Sequence, residues 1–326
     1  MTELVLSIGS SWQMYDLTFV VDKGLSCFRL NAGRLSAEEM QVWAARLDSL
    51  KQKGYDVDLF LDLPGRKCRV WGEFINTIPG SKLTISLSDK RSIGVRLSAC
   101  GLYPSPEVGD IIKVRRRSSI VRLEVVEATN TFMTVVALDK GRVGGGYQVA
   151  VTNRYEPSQQ LTFGDHLALN LVPDLQPSFV CASFSDSPSI PIMTRQKLSA
   201  IKQFPKLLSK VETKIGISAL GLIAKESDGI VIGRDDLLMW FSHEEVDELT
   251  LEIIEKYIGS DKVIIPGSNY FTSLDKGLTS LSQGEAYFLK ATLDLCPPFL
   301  YCNETTKANI LPLVVENWKK YGSSKN

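Results

Sequence analysis

Two acidic residues and a lysine near the ends of short apolar runs could bind a metal ion beside an anionic substrate. Lys210 stands two positions before Glu212, so the two side chains share one face of a strand. Asp236 follows the next apolar run. Two carboxylates suit Mg²⁺ or Mn²⁺, which keeps waters and takes further oxygen ligands from a substrate. We therefore predict a metal site at Glu212 and Asp236, with two alternatives open: an exposed Lys210–Glu212 ion pair, and a helix cap at Asp236.

Three arginines would add fixed positive charge near this site. Arg29 lies inside an apolar run, where an unpaired guanidinium would be costly, and Arg69 and Arg234 each follow such a run. Guanidinium groups suit carboxylate and phosphate, and cations directed at a phosphoryl group are what its transfer chiefly needs. We expect a small anionic substrate.

Eight short apolar runs, alternating with helical patterns, must position these residues. They span 3–8, 27–31, 58–63, 179–184, 206–211, 229–233, 262–266 and 299–302. Continuous apolar runs are typical of parallel strands covered by helices. The pattern predicts an α/β fold, a closed (β/α)8 TIM barrel, with an open doubly wound sheet as the alternative.

Two of the helices between these runs have clear start signals. Ser36-Ala-Glu-Glu39 and Ser242-His-Glu-Glu245 are capping boxes. The second helix is predicted to bury one stripe, formed by Val246, Leu249, Ile253 and Tyr257.

The segment from about 71 to 166 breaks the alternation. Its predicted strands, at 82–87, 92–97, 110–114, 121–126 and 131–138, are separated by turn residues. We predict an inserted all-β lid domain after strand 3, with domains 1–71 (barrel, first part), 72–166 (lid) and 167–326 (barrel, second part). A loop after a barrel strand lies at the C-terminal face, where barrel active sites form.

Composition argues against several other classes of protein. The charges of the 37 basic and 37 acidic residues cancel, so net charge gives no reason to expect binding to nucleic acid or to an anionic membrane. With only two histidines, the chain has few candidate ligands for a zinc site and few candidate bases for a serine–histidine triad. Without a signal peptide or an apolar run of roughly 18 residues, we expect a cytoplasmic protein.

Seven short motifs are spread along nearly the whole chain. They are Ser7-Ile-Gly-Ser10, Phe28-Arg-Leu-Asn31, Asp62-Leu-Pro-Gly-Arg-Lys-Cys-Arg69, Ala182-Ser-Phe184, Ser209-Lys-Val-Glu212, Ser227-Asp-Gly-Ile-Val-Ile-Gly-Arg-Asp-Asp236 and Asn303-Glu-Thr-Thr-Lys307. In order and spacing they resemble T-I-G-P, A-R-L-N, D-T-K-G-P-[EK]-I-R, A-S-F, S-K-I-E, S-D-G-I-M-V-A-R-G-D and G-E-T-A-K of the pyruvate kinase family.

The resemblance implies a Mg²⁺-dependent phosphotransferase acting on a phosphoenolpyruvate- or pyruvate-like substrate or another small molecule, with ATP or ADP as a ligand. In the family, the lysine matching Lys210 neutralises charge on the phosphoryl group and the enolate. Arg29 and Ser268 are the other implied catalytic residues, and Ser268 keeps a hydroxyl where the family uses threonine for proton delivery. Glu212 and Asp236 would hold the metal. The implied cofactor-binding residues are Arg69, Arg34, Asn31, Asp62 and Arg234.

The chain departs from the family pattern where the family binds potassium. Gly33-Arg34 replaces a serine–histidine pair and Leu63 replaces a threonine, so two potassium-ligand hydroxyls are lost. Lys67 stands where potassium-independent members carry lysine. We expect no potassium requirement.

The predicted lid also departs from the family. Arg115-Arg-Arg117 replaces an acidic pair, and would either bind an anionic substrate or form an exposed basic edge. Gly144-Gly-Gly-Tyr-Gln-Val149 replaces a lysine-bearing loop, and would either approach a phosphate or form a turn.

The chain ends soon after a predicted last helix at 308–321. We expect the family's C-terminal regulatory domain and its usual tetramer to be absent, which favours a specialised pathway over glycolysis. Three functions stay open: a phosphotransferase with an altered donor or acceptor, a metal-dependent 2-oxo acid enolate enzyme of lyase or aldolase type, and a non-catalytic binding protein.

Overall fold

The computed structural model of the chain describes residues 2–87, 95–98, 104–116 and 119–322. Residues 92–94 of the predicted strand 92–97, and Arg117 of the predicted basic edge, lie outside this description. The described strands are β1 (Glu3–Ser7), β2 (Cys27–Asn31), β3 (Asp58–Asp62), β4 (Arg69–Trp71), β5 (Ile75–Thr77), β6 (Lys82–Ser86), β7 (Val95–Leu97), β8 (Ile111–Arg116), β9 (Ser119–Ala128), β10 (Phe132–Ala137), β11 (Gly141–Val143), β12 (Tyr147–Val151), β13 (Phe179–Ala182), β14 (Lys206–Val211), β15 (Gly229–Gly233), β16 (Val263–Gly267) and β17 (Phe299–Cys302).

Helices follow most of the strands that are long and apolar. They are α1 (Met14–Val21), α2 (Ala37–Gln52), α3 (Phe163–Asn170), α4 (Val172–Leu175), α5 (Ser189–Ala200), α6 (Lys214–Ser218), α7 (Leu220–Lys225), α8 (Arg234–Leu237), α9 (His243–Tyr257), α10 (Thr272–Asp275), α11 (Gln283–Asp294) and α12 (Leu311–Gly322). Two short 3₁₀ turns, Glu304–Thr306 and Ala308–Ile310, lie between β17 and α12.

Eight parallel strands close into a barrel in the order β1, β2, β3, β13, β14, β15, β16 and β17. The ring closes because β17 pairs with β1, with Glu3 opposite Phe299. The predicted eight-stranded parallel barrel is thus confirmed, and the open doubly wound sheet is wrong. All eight strands correspond to the predicted apolar runs, with ends that differ by at most two residues.

The barrel strands are mostly apolar because both of their faces are buried. Side chains that point inward form an interior cluster that includes Phe60, Phe179, Val231 and Tyr301. The Phe60 and Phe179 rings stack with centroids 4.2 Å apart. The alternate side chains pack outward against the helices, which explains why no polar alternation marks these strands.

The capping boxes start two of the surrounding helices as predicted. The side chain of Ser36 accepts a hydrogen bond from the Glu39 amide, and that of Ser242 accepts one from the Glu245 amide. These bonds satisfy backbone donors that the first turn of a helix leaves without partners.

The buried stripe of α9 differs from its prediction. Val246 and Ile253 are buried as expected, but Leu249 and Tyr257 are only half-buried. Thr250 and Ile254 take the remaining buried positions, and the Thr250 hydroxyl donates to the Val246 carbonyl. A threonine whose hydroxyl bonds to its own helix can be buried, and hydropathy alone does not reveal this.

Residues Arg66–Pro157, together with Leu238–Trp240, form a second compact unit. Seven of its strands close in the order β10, β6, β7, β4, β12, β8 and β9, while β5 pairs with β11. Lys113 Nζ donates to the Met239 carbonyl at 2.9 Å, and the Trp240 and Tyr155 rings meet at 4.7 Å. These contacts explain why a segment so far along the chain belongs to this unit.

Among the described ranges, none of the helices combines the length and the apolar composition that crossing a membrane requires.

Candidate active site

Five charged residues stand at the carboxyl ends of the barrel strands or just beyond them. Arg29 is on β2, Asp62 ends β3, Lys210 is on β14, Glu212 follows β14 and Asp236 is in α8 after β15. The carboxyl ends of parallel barrel strands share one face, where barrel enzymes form their active sites. All five are buried, with relative exposures between 1% and 8%. Buried charges of this kind must be paired, and their partners define the site.

Lys210 forms two buried ion pairs. Its Nζ lies 3.0 Å from Glu212 Oε1 and 3.4 Å from Asp62 Oδ2. Burial disfavours the charged amine, but Glu212, then Asp62, and more weakly Asp236 outweigh it and raise the pKa of Lys210 above its ordinary value. Lys210 is therefore an ammonium ion held inside the barrel, and the alternative of an exposed ion pair is wrong.

The Glu212 carboxylate is fixed from two sides. Besides Lys210, it accepts a hydrogen bond at 2.8 Å from the backbone N–H of Phe184, which has a left-handed φ of 52°. Gly233, at the end of β15, makes room for this side chain. A Cβ there would lie 2.4 Å from Glu212 Cγ, closer than real Cβ contacts come.

Arg29 links three polar residues inside the barrel. One guanidinium nitrogen, Nη1, donates to Ser7 Oγ at 2.9 Å and to Asn303 Oδ1 at 2.5 Å. The other, Nη2, donates to Asp62 Oδ2. Burial would raise the pKa of Asp62, but Arg29 and Lys210 lower it below its ordinary value, so the carboxylate stays ionised.

The backbone of Ser268 is held in a left-handed conformation, with φ of 71°. Its N–H donates to the Tyr301 carbonyl at 3.1 Å, and its carbonyl accepts from Arg234 Nη1 at 2.6 Å. Its hydroxyl oxygen accepts a hydrogen bond from Asn303 Nδ2. For a residue with a Cβ, this conformation costs about 1–3 kcal/mol and persists only where its surroundings enforce it.

Arg234 supports the Ser268 loop. Its guanidinium also pairs with Asp247 and lies over the rings of Tyr270 and Phe288, with centroid distances of 4.7 and 4.1 Å. These contacts fit a residue that holds the protein together, and its predicted role in ligand binding stays a prediction.

The other predicted ligand-binding residues occupy varied positions. Asn31, half-buried at the end of β2, accepts from the Gly33 amide at 2.9 Å, and Arg34 is exposed in the same turn. Arg69 belongs to the second unit, where its Nη1 donates to the Gly146 carbonyl at 2.9 Å. The barrel therefore brings Arg29, Asp62, Lys210, Glu212 and Asp236 to one end, whereas Arg69 stands in a different unit.

Comparison with known proteins identifies this arrangement. The family model "Pyruvate kinase, barrel domain" matches residues 1–294. The chain belongs to the pyruvate kinase family. The barrel described above is therefore that of a pyruvate kinase family member.

Individual relatives agree with this assignment. Pyruvate kinase from Thermotoga maritima is 26% identical over 274 residues, which cover 81% of this chain and 58% of that protein. Pyruvate kinase from Aeropyrum pernix is 26% identical over 280 residues, covering 83% and 59%. The chain thus spans a little over half the length of these curated relatives. In fold, it is similar to the crystal structure of a pyruvate kinase from Cryptosporidium parvum, with a TM-score of 0.79, 19% identity and coverage of 98% of this chain and 69% of that one.

The two predicted metal ligands have suitable chemistry for a hard divalent cation. Both are buried carboxylates after neighbouring strands, and Asp236 is close enough to contribute weakly to the raised pKa of Lys210. In the described part of the chain no group of three or more His, Cys, Asp or Glu side chains could hold a metal by itself. A site of two carboxylates fits Mg²⁺ or Mn²⁺, which completes its shell with water and substrate oxygens.

Two polar residues of the site were not singled out from the sequence. Ser7 and Asn303 both contact Arg29, and Asn303 also contacts Ser268. Asn303 stands where the family motif G-E-T-A-K has glycine. An amide side chain in place of none was the sequence difference that could have marked Asn303 as a site residue. Ser7 stands where the motif T-I-G-P has threonine and keeps its hydroxyl.

Proposed function

We propose that this chain is a divalent-metal-dependent phosphotransferase of the pyruvate kinase type, acting on a phosphoenolpyruvate- or pyruvate-like acid. The observation that carries the proposal is the Lys210 ammonium, buried between Glu212 and Asp62 at the carboxyl ends of the strands. A cation fixed in such a site can stabilise negative charge that develops during reaction, because it needs no reorganisation.

Each residue of the cluster has a role in this proposal. Lys210 stabilises charge on the phosphoryl oxygens and on the enolate oxygen, and Arg29 adds a second fixed cation. Glu212 and Asp236 would hold Mg²⁺ or Mn²⁺, which supplies positive charge to the oxygens of the bound substrate. Asp62 keeps both cations in place through its contacts with Arg29 and Lys210.

The proposed reaction moves a phosphoryl group and then a proton. The bond between phosphorus and the enol oxygen breaks, that oxygen keeps the electron pair, and phosphorus bonds to an oxygen of the acceptor. The methylene carbon of the enolate then takes a proton from the Ser268 hydroxyl, and solvent restores that proton. Run in reverse, the second step exchanges the methyl protons of pyruvate with solvent.

The second unit would act as the lid, with a boundary near 72–166, and ADP or ATP is the proposed phosphoryl partner. Its glycine loop differs from a lysine-bearing phosphate loop: a Cβ at Gly145 would lie 2.2 Å from the Phe74 ring, and one at Gly146 2.7 Å from the Trp71 ring. These glycines are therefore explained by packing within a turn. One alternative for Arg115 was an exposed basic edge, but its side chain is buried in β8.

The glycine loop favours a second candidate, an enolate enzyme that acts on 2-oxo acids without phosphoryl transfer. Such an enzyme would use the same metal ligands and Lys210 but would not need a nucleotide-binding lid. In both candidates, potassium is not required, because Gly33 and Leu63 carry no hydroxyl and Lys67 supplies a positive charge.

The test is NMR of the protein with Mg²⁺, pyruvate and ATP in D₂O. Proton spectra report exchange of the pyruvate methyl group, and phosphorus spectra report phosphoryl transfer. Lys210→Ala and Glu212→Gln are the site variants. Gly221→Ala, on a helix where an added Cβ meets nothing within 4 Å, is the matched control.

We expect both signals in the wild type and in Gly221→Ala, and neither in the two site variants. Exchange without phosphoryl transfer, independent of ATP, would instead indicate the enolate enzyme. Silence in both spectra at every pyruvate concentration would refute both enzyme functions with this substrate and leave the binding protein.

A further inference from the structure

Asn303 occupies a central position among the polar groups of the barrel. It follows β17 directly, and its half-buried side chain lies between Arg29 and Ser7 on one side and Ser268 on the other. One amide therefore joins the arginine of the site to the serine proposed as its proton donor.

The contacts of Asn303 settle which way its amide points. Arg29 Nη1 can only donate, so the atom that lies 2.5 Å from it must be the carbonyl oxygen Oδ1. Ser7 Oγ, which accepts from Arg29, donates to the same oxygen at 3.1 Å. With Oδ1 held by two donors, the NH₂ group faces Ser268.

This orientation determines what the Ser268 hydroxyl can do. Its oxygen accepts the hydrogen bond from Asn303 Nδ2, so its own hydrogen must point elsewhere. Among the groups that the structure describes, which leave out the Thr306 side chain, no acceptor for that hydrogen is found. Hydrogen bonds to Tyr301 and from Arg234 fix the Ser268 backbone, so the hydroxyl can leave Asn303 only by rotation of its own side chain.

We propose that Asn303 is a positioning residue that turns the Ser268 hydroxyl into a proton donor for the substrate carbon. The inference rests on the proposed function, since it concerns the proton step of that reaction. Ser268 gives its proton to the methylene carbon of the enolate, and the serine oxygen recovers a proton from solvent. Asn303 contributes by donating to that oxygen, which also stabilises the negative charge it acquires while the proton is in transit.

The proposal predicts a specific order among the Asn303 variants. Asn303→Ala removes every contact of the amide. Asn303→Asp keeps an oxygen for Arg29 and Ser7, but it presents a second acceptor to Ser268 where the NH₂ group was. That acceptor attracts the serine hydrogen and turns the hydroxyl away from the substrate.

A purely structural role would give the opposite order. If Asn303 only supported Arg29, Asn303→Asp would be the milder change, because its carboxylate still accepts from the guanidinium. If Asn303 positions the proton donor, Asn303→Asp lowers methyl exchange at least as much as Asn303→Ala. We expect the kcat for exchange to fall by about tenfold to a hundredfold in both, with the KM for pyruvate in Asn303→Ala unchanged within about twofold.

The experiment measures exchange of the pyruvate methyl in D₂O for wild type, both Asn303 variants, Ser268→Ala and the double variant Ser268→Ala/Asn303→Asp. The double variant is expected to lose no more exchange than Ser268→Ala, because Asn303 acts through Ser268. Phosphoryl transfer, followed by phosphorus NMR, is expected to fall less than exchange. Thermal unfolding shows that each variant is folded, and Asn303→Asp provides the test if Asn303→Ala is not.

The outcomes separate the inference from the function on which it rests. An active wild type whose Asn303 variants keep full exchange would overturn the inference alone. So would an Asn303→Asp variant that is milder than Asn303→Ala, or additive losses in the double variant. A wild type without exchange or transfer would overturn the proposed function and this inference together.

Discussion

Gly233→Ala should disable the site although it replaces none of its charged residues. The added Cβ would lie 2.4 Å from Glu212 Cγ and 3.2 Å from the Val211 carbonyl oxygen, whereas ordinary contacts begin at 3.4 Å. The backbone of β15 is fixed by pairing with both neighbouring strands. An overpacked core shifts side chains or backbone, and because this backbone is held on both sides, the Glu212 side chain should move away by about 1 Å.

The cost follows from what Glu212 holds. Its oxygens lie 3.0 Å from Lys210 Nζ and 2.8 Å from the Phe184 nitrogen, and a displacement of this size breaks one of these contacts. A hydrogen bond to a charged group contributes about 1.5–3 kcal/mol, which corresponds to roughly a tenfold to hundredfold loss of activity if the contact is needed in the transition state. The unfolding midpoint should fall as well, by about 2–4 °C for each kcal/mol.

Three assays check this expectation, with Gly221→Ala as the control. An added Cβ at Gly221 in α7 meets nothing within 4 Å, so that variant should gain about 0.5–1 kcal/mol from reduced backbone entropy. Thermal unfolding, titration with Mn²⁺ and exchange of the pyruvate methyl should all show losses in Gly233→Ala. If both variants bind Mn²⁺ and exchange protons equally well, the assignment of Glu212 to the metal site is refuted.

Three other substitutions test the buried charges and contacts. Lys210→Ala leaves the buried Glu212 carboxylate without its cation and Asp62 with Arg29 alone, and should cost about 3–5 kcal/mol in urea unfolding, with phosphoryl transfer lost. Asp110 accepts two hydrogen bonds at 2.8 Å from Arg154, which lower the pKa of its carboxyl. The stabilisation from Asp110 is complete above its ordinary pKa of about 3.9 and is lost as pH falls through the lowered pKa of the folded state. The urea midpoint of Asp110→Asn should therefore fall less at acid pH than that of the wild type. Trp12→Phe removes the bond from Trp12 Nε1 to the Thr305 carbonyl and should cost about 1–3 kcal/mol by the same method.

Each of these has a result that would contradict it. Unchanged stability in Lys210→Ala would mean that the carboxylates around it are not held by its charge. An acid profile in Asp110→Asn that still matches the wild type would place the titrating group elsewhere. A Trp12→Phe variant with wild-type stability would show that water replaces the indole at the Thr305 carbonyl.

The barrel was predictable from sequence because each of its strands contains consecutive apolar residues, which occupy both faces of the strand. The predicted runs 58–63 and 229–233 each contain three consecutive apolar residues and can be recognised without any knowledge of their partners. The shared face of Lys210 and Glu212 followed from the period of a strand, and the structure places the two side chains in contact. Their catalytic and metal-binding roles stay predictions.

Features that depend on distant partners were not predictable. Strands β4, β5 and β11 are three residues long, too short for any periodicity, and exist because they pair with strands elsewhere in the second unit. Leu238–Trp240 joins that unit through contacts such as the one with Lys113, which no local pattern records. The position of Asn303 between Arg29 and Ser268 likewise arises only when the barrel closes.

Closure of the ring by β1 and β17 makes the site a product of both ends of the barrel. Ser7 and Asn303 are hydrogen bonded across 296 positions, and Thr305 donates to the Ser7 carbonyl across 298. During synthesis, Arg29 and Asp62 leave the ribosome long before Asn303 exists. Until the last strand docks, Arg29 lacks one of its acceptors and Ser268 lacks its amide donor. The proposed activity would therefore appear only after β17 docks, so its onset would report the final step of barrel closure.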